Sequence, residues 1–397
     1  MILFKMIIKA ILNSLIANSL LIRPKRFFLT LLLLLFVLIY PLYSQTKLDP
    51  NKSDSIQHIL TKIVNDGKAP GMIAAIISSE GVIAIGSAGE RKAGSGIAFT
   101  TNDLVHLGSC TKAMTSTMLA TLVAERKLSW DMKLIDAIPE LKHLIHSDYH
   151  QITLWHLLTH RAGIQKNVTD WDDFSSKEIK ERRLAILIAN LQKSTSYKLD
   201  EFNYSNFGYM IAACMAEQIT GLSWETLMQE RIFDQLEMSS AGFGAPNTHD
   251  QIDQPWGHSS GLSWLGNKWK PDQTDNPEAL GPAGMVHCNI ADWAKFISIW
   301  LTSENPILER KYLDKLIEPV SGHFYAGGWG VAENEWAKGI TISHSGSNGI
   351  WYTSVLVTPK LDRAFIVSTN SRDFGVTENV CIEMTNKMIK MEVKLNN

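Results

Sequence analysis

Cysteine is scarce: Cys110, Cys214, Cys288 and Cys381 are the four in 397 residues, widely spaced and without a C-x-x-C pair. That gives no metal site and no paired-cysteine motif, and three of them sit in apolar, helix-like surroundings that favour buried free thiols over disulfides. Charge of one sign is lacking too. Lys and Arg total 38 against 40 Asp and Glu, a formal charge of -2 with no basic stripe, so no nucleic-acid partner is expected. No H-E-x-x-H occurs. His143, His146 and His150, or His156 and His160, have helical spacing, but two ligands cannot close a coordination shell, so neither a metal nor another cofactor is expected. No internal repeat or low-complexity linker divides the chain.

What is present is an ordinary globular composition, 45% apolar and 20% charged. One segment stands apart: Arg23, Lys25 and Arg26 precede an apolar run over residues 27–40, followed by Pro41 and Ser44. This order predicts a secretory signal peptide over residues 1–44 and an exported, periplasmic or extracellular domain over 45–397. The run is shorter than the roughly 20 apolar residues a membrane-spanning helix needs. Leu42 is not the small residue a cleavage site prefers, and a second apolar stretch lies upstream, so an uncleaved N-terminal membrane anchor is the alternative.

Apolar spacing predicts a helix over 55–66 and a strand hairpin over 72–77 and 82–85. A helix opens at Ser109, with Met114, Met118, Leu119, Leu122 and Val123 as its apolar stripe. Residues 131–282 read as helices and loops, with helices over 152–159, 179–191, 208–219 and 224–235. Strands return over 329–331, 341–344, 352–357 and 364–368, and an amphipathic helix covers 378–390. The class is therefore α+β: a sheet layer from about 45–130 and 283–397, with a mostly helical insertion over 131–282 and a substrate cleft between them.

The S-x-x-K spacing occurs at Ser44 and Lys47 and again at Ser109 and Lys112. Only Ser109 is followed by a long helical pattern, and a helix N-terminus favours developing negative charge. Lys112 lies one turn along the same face, where desolvation would let it accept the serine proton. Gly257-His-Ser-Ser-Gly261 matches the G-x-S-x-G elbow, but neither the strand before it nor the helix after it is predicted.

With Tyr204-Ser-Asn206, His344-Ser-Gly346, the segment ITLWHLLTH at 152–160 and GPAGM at 281–285, the chain resembles the serine β-lactamase and DD-peptidase superfamily, in its class C-like, carboxypeptidase and esterase branch. The resemblance covers nearly the whole predicted domain. It implies an antiparallel sheet flanked by helices with an inserted helical subdomain. It also implies an acyl-enzyme on Ser109, with Lys112 and Tyr204 sharing proton transfer in an order the sequence leaves open. Asn206, His344 and Gly346 would bind substrate, and the backbone N–H groups of Ser109 and Ser347 would form the oxyanion hole. β-Lactamases proper usually carry lysine where His344 stands. A histidine, with an ordinary pKa of about 6.5, is mostly neutral at pH 7 and attracts a substrate carboxylate less. The expected activity is hydrolysis of a small-molecule or peptide substrate, a D-amino-acid peptide or a carboxylic ester. A β-lactamase and a slow penicillin-binding-like sensor are the alternatives.

Overall fold

The computed structural model describes residues 48–261, 268–303, 305–373 and 375–393. The predicted signal segment, with Ser44 and Lys47, lies outside them.

Six antiparallel strands form the central sheet. They are β1 (Gly71–Ser78), β2 (Gly81–Gly89), β5 (Gly330–Asn334), β6 (Gly339–Ser347), β7 (Tyr352–Thr358) and β8 (Arg363–Thr369), arranged β2-β1-β8-β7-β6-β5; β3 (Gly257–Ser260) and β4 (Trp269–Asp272) form a separate hairpin. Strand β1 is buried at every position because β2 and β8 flank it and helices cover both faces. One face carries helices α1 (Pro50–Asn65) and α5 (Val376–Glu392), which cover it with Ile56, Leu60 and Ile63 from the first and Val380, Cys381, Met384 and Met388 from the second. Helix α1 starts five residues before the predicted 55–66, where its cap sets it: Asp49 accepts a hydrogen bond from the Lys52 amide at 3.1 Å and Pro50 takes the first helical position.

The other face packs on helices, at whose centre lies α2 (Thr111–Ala124). The sequence pattern predicts a stripe; the structure buries α2 on all sides, every residue from Thr111 to Leu122 included. A helix can be enclosed in this way only if its polar side chains find partners. Thr115 donates to the Pro282 carbonyl at 2.8 Å, Thr117 to that of Ala113 at 2.8 Å, and Ser116 lies 3.2 Å from the Tyr209 hydroxyl. Each such hydroxyl left unpaired would cost about 1–3 kcal/mol.

Helices α3 (Ile179–Asn190) and α4 (Asn206–Thr220) lie where predicted, and α4 ends on Gly221 in the left-handed conformation. The predicted helix over 224–235 is α-helical only to Met228 and continues as a π-turn over Gln229–Phe233. The helical insertion is also shorter than predicted. Residues Gly242–Phe243 pair with Val286–Cys288, which pair in turn with Val105–His106, and β3 pairs with β4 beside the end of β8. The second half of the 131–282 region thus contributes short strands to two small sheets separate from the six-stranded one. Its strands escape the pattern because Gly257-His-Ser-Ser260 contains no β-branched residue.

All four cysteines are buried and free.

Candidate active site

Ser109 lies in a 3-10 turn, Gly108–Cys110, immediately before α2 rather than inside the helix. Two backbones meet there at close range. Gly108 has φ +50°, and a Cβ on it would fall 2.3 Å from the Ser347 nitrogen. A Cβ on Gly346 would fall 2.1 Å from the Leu107 carbonyl oxygen and 2.5 Å from the Ser109 nitrogen. Glycine at both positions is thus a steric requirement, and it sets the Ser109 and Ser347 amides side by side. A buried clamp holds this contact. The Gly108 amide donates to Nδ1 of His106 at 3.1 Å, so Nε2 of His106 is the donor to Asp275, 3.0 Å away. Asp275 also accepts from Asn348 at 3.0 Å, next to Ser347 and Gly349. Burial opposes its charge, but His106, Asn348 and the Asn276 amide hold the carboxyl below its usual range.

Lys112 is fully buried. Its Nζ lies 3.0 Å from Ser109 Oγ, 2.7 Å from Asn206 Oδ1 and 2.7 Å from the Ala283 carbonyl oxygen. Desolvation holds its pKa well below the ordinary lysine value; Cys110 works against this and Lys166 with it. Two of the three partners can only accept. A neutral amine donates one N–H to each of them and aims its lone pair at the remaining partner, the Ser109 hydroxyl. Asn206 is fixed in turn, since its Nδ2 donates to Asn167 Oδ1 at 2.8 Å.

Tyr204 immediately precedes the start of α4. Ser205 is the N-cap, accepting from the Gly208 amide at 2.9 Å, and Asn206 is the first helical residue, so the Tyr-Ser-Asn spacing is that of a helix entry. The Tyr204 side chain lies close enough to Ser109 for the serine to influence its ionisation, and its ring centroid is 4.9 Å from Lys112 Nζ. Burial pushes the phenol pKa up, outweighing the opposing influence of Ser109, so Tyr204 holds its proton.

His344 sits on β6 beyond its pairing with β5, on the strand edge that borders the site. Its Nδ1 donates to the Ser345 carbonyl at 2.7 Å, so Nε2 accepts from the Tyr325 hydroxyl at 2.9 Å. Desolvation, then Lys112, pulls its pKa down to about 3. Both ring nitrogens are engaged by protein groups, and the ring forms part of the wall of the cavity that opens beside Tyr204. The exposed neighbour is Ser345. A cavity of about 610 Å³ opens beside Tyr204, walled by Phe202, Phe324, Tyr325, Ser345 and Ile382, with no Lys, Arg, Asp or Glu in its lining.

The structure therefore brings together Ser109, Lys112, Tyr204, Asn206, Gly346 and Ser347. It separates them from the Gly257–Gly261 motif, where His258 accepts from the Ala93 amide at 2.9 Å and donates to the Asn370 carbonyl at 2.7 Å. His156 belongs to a helix cap with Thr153, and no cluster of three metal-ligating side chains occurs among the described residues. Sequence reasoning missed His106, Asp275, Asn348, Asn167 and the Ala283 carbonyl. It also missed Arg183, fully buried between Glu217, 2.6 Å away, and Glu225, which supports the Glu278 and Ala279 carbonyls just before the Ala283 turn. None of these carries a local motif; their roles arise from tertiary contact.

An antiparallel sheet backed by two helices, with a serine at the head of a buried central helix, defines the β-lactamase and penicillin-binding-protein fold. The chain belongs to the β-lactamase family, whose model, described as Beta-lactamase, matches residues 56–381. It is 22% identical over 325 residues to Protein flp of Staphylococcus aureus strain COL, covering 80% of this chain; the chain spans 64% of that relative's length. Its fold is similar to an octameric penicillin-binding protein homologue from Pyrococcus abyssi, with TM-score 0.70 and 20% identity over 86% of this chain and 79% of that one. It is also similar to the D-amino acid amidase from Ochrobactrum anthropi SV3, with TM-score 0.69 and 20% identity over 86% of this chain and 99% of that one.

Proposed function

We propose that this protein is an exported serine hydrolase that forms an acyl-enzyme on Ser109 and cleaves an ester or amide, including amides and peptides of D-amino acids. One observation carries the reading: the dry Nζ of Lys112, with two obligate acceptors and one hydroxyl around it. Lys112 takes the Ser109 proton as Oγ attacks the substrate carbonyl carbon, and the oxyanion forms between the Ser109 and Ser347 amides. Tyr204, whose phenol stays protonated, gives its proton to the leaving group as the carbon–heteroatom bond breaks and recovers one from Lys112. Water then hydrolyses the ester on Ser109 and restores the hydroxyl. Export rests on Arg23, Lys25, Arg26 and the apolar run after them. Among the described residues no helix is long and apolar enough to cross a membrane.

The substrate class rests on charge. His344 offers no cation, and the cavity beside Tyr204 is uncharged, with aromatic and aliphatic walls interspersed with hydroxyl and amide side chains. The amidase among the structural neighbours acts on D-amino acids by its name, which places D-amino acid amides on the list to assay. The purified protein is expected to turn over neutral esters and D-amino acid amides faster than cephalosporins. Faster destruction of cephalosporins would overturn this choice of substrate.

A further inference from the structure

His160 is 1% exposed and adopts the left-handed conformation, φ +58°, a region histidine, asparagine and aspartate enter more readily than most residues. Its contacts converge on Tyr204. The His160 carbonyl accepts from the Asn203 amide at 2.7 Å, and its Nδ1 accepts from the Ser205 amide at 3.1 Å. Its ring lies against the Tyr204 ring with centroids 4.3 Å apart and planes inclined by 41°. One residue thus holds the backbone on both sides of Tyr204 and stacks on the side chain between. The ring's other neighbours, Tyr325 and Tyr209, have centroids 4.6 Å and 5.3 Å away and fix its own position.

The arrangement carries a cost that packing alone does not explain. With Nδ1 accepting, the ring proton sits on Nε2, and Nε2 is buried without a hydrogen-bond partner. Burial holds the ring neutral. A phenylalanine here would remove the unpaired N–H and keep the stacking, but it would also remove the acceptor for Ser205.

We infer that His160 is the positioning residue for Tyr204, setting the angle at which the phenol meets Ser109 and hence the delivery of a proton to the leaving group. This rests on the acyl-enzyme reading of the site. The test compares wild type, His160→Phe and His160→Asn on esters of one acyl group whose leaving groups run from p-nitrophenol to an alkyl alcohol, plus the matching amide. General-acid catalysis is worth about 10²–10⁴-fold for a poor leaving group and little for a good one. His160→Phe is therefore expected to lose kcat roughly 100-fold or more on the amide and alkyl ester but under about 10-fold on the nitrophenyl ester, with KM little changed. Asparagine tolerates the backbone conformation and offers an acceptor oxygen, so His160→Asn is expected to recover most of the loss. Labelling of Ser109 by a fluorophosphonate, whose fluoride leaves without a proton, is expected to keep its wild-type rate in both variants. An equal loss across all leaving groups, or loss of labelling in His160→Phe alone, overturns the inference. Failure to label Ser109 in the wild type overturns the acyl-enzyme reading itself.

Discussion

Ser109 and Ser259 each lie next to glycine-rich backbone and near a basic side chain, Lys112 for the first and His258 for the second. Around Ser109 the base is dry and keeps a lone pair for the hydroxyl, because its other two partners can only accept. Around Ser259 the base is just as buried, but His258 spends Nε2 on the Ala93 amide and Nδ1 on the Asn370 carbonyl, joining the β3–β4 hairpin to the sheet. The surroundings differ as well: a helix N-terminus and paired backbone amides at Ser109, a mid-strand position at Ser259. A serine and a base in proximity do not make a nucleophile. The base must have a lone pair that nothing else in the fold uses.

That contrast breaks most severely if the Lys112 lone pair is removed. Lys112→Met keeps the volume and the burial and is expected to lower kcat/KM by about 10³-fold or more, while the two acceptors it leaves unpaired cost about 1–3 kcal/mol each, read from steady-state kinetics on the folded protein beside a urea melt. Tyr204→Phe leaves the base intact and removes only the proton donor. Its expected loss is about 10²-fold on amides and smaller on nitrophenyl esters. The pH profile sharpens the same point. Because burial lowers the Lys112 pKa and raises that of Tyr204, wild-type kcat/KM should rise as Lys112 deprotonates below its ordinary pKa of about 10.4 and show no fall near pH ~10, where a free tyrosine ionises. A bell-shaped profile falling there would contradict the assignment of Tyr204 as the acid.

The smallest effect belongs to the other serine motif. His258→Ala should cost stability, about 1–3 kcal/mol for the lost bonds, and leave activity per folded molecule unchanged. Burial lowers the His258 pKa to about 4, below its unfolded value of about 6.5. The unfolded state therefore binds the proton first, and the stability due to neutral His258, complete above pH ~6.5, is lost as pH falls toward 4. Urea melts across that window should show a shallower acid loss in the variant.

Much of the sheet and of the site was legible along the chain. The strands over 72–77, 341–344, 352–357 and 364–368 appear within a few residues of prediction, because buried strands of Val, Ile and Phe are conspicuous. Ser109, Lys112, Tyr204 and Asn206 are legible because their side chains stand in short motifs, and Gly108 and Gly346 have a reason only geometry supplies. What sequence reading lost is what depends on distant partners. The threonines of α2 look exposed until the Pro282 carbonyl is seen against Thr115, and Ala283 contributes through an oxygen that every residue has. A histidine at 344 reads as uncharged at pH 7, but the orientation of its ring depends on Tyr325, nineteen positions away and in no shared motif.

The central claim is that Ser109, not Ser259, carries the covalent intermediate. Wild type, Ser109→Ala and Ser259→Ala can be incubated with a fluorophosphonate probe and measured by intact mass and peptide mapping. A single adduct on the peptide containing Ser109, abolished by Ser109→Ala and unchanged in Ser259→Ala, is the predicted result. An adduct that survives Ser109→Ala, or that maps to Ser259, would contradict the account.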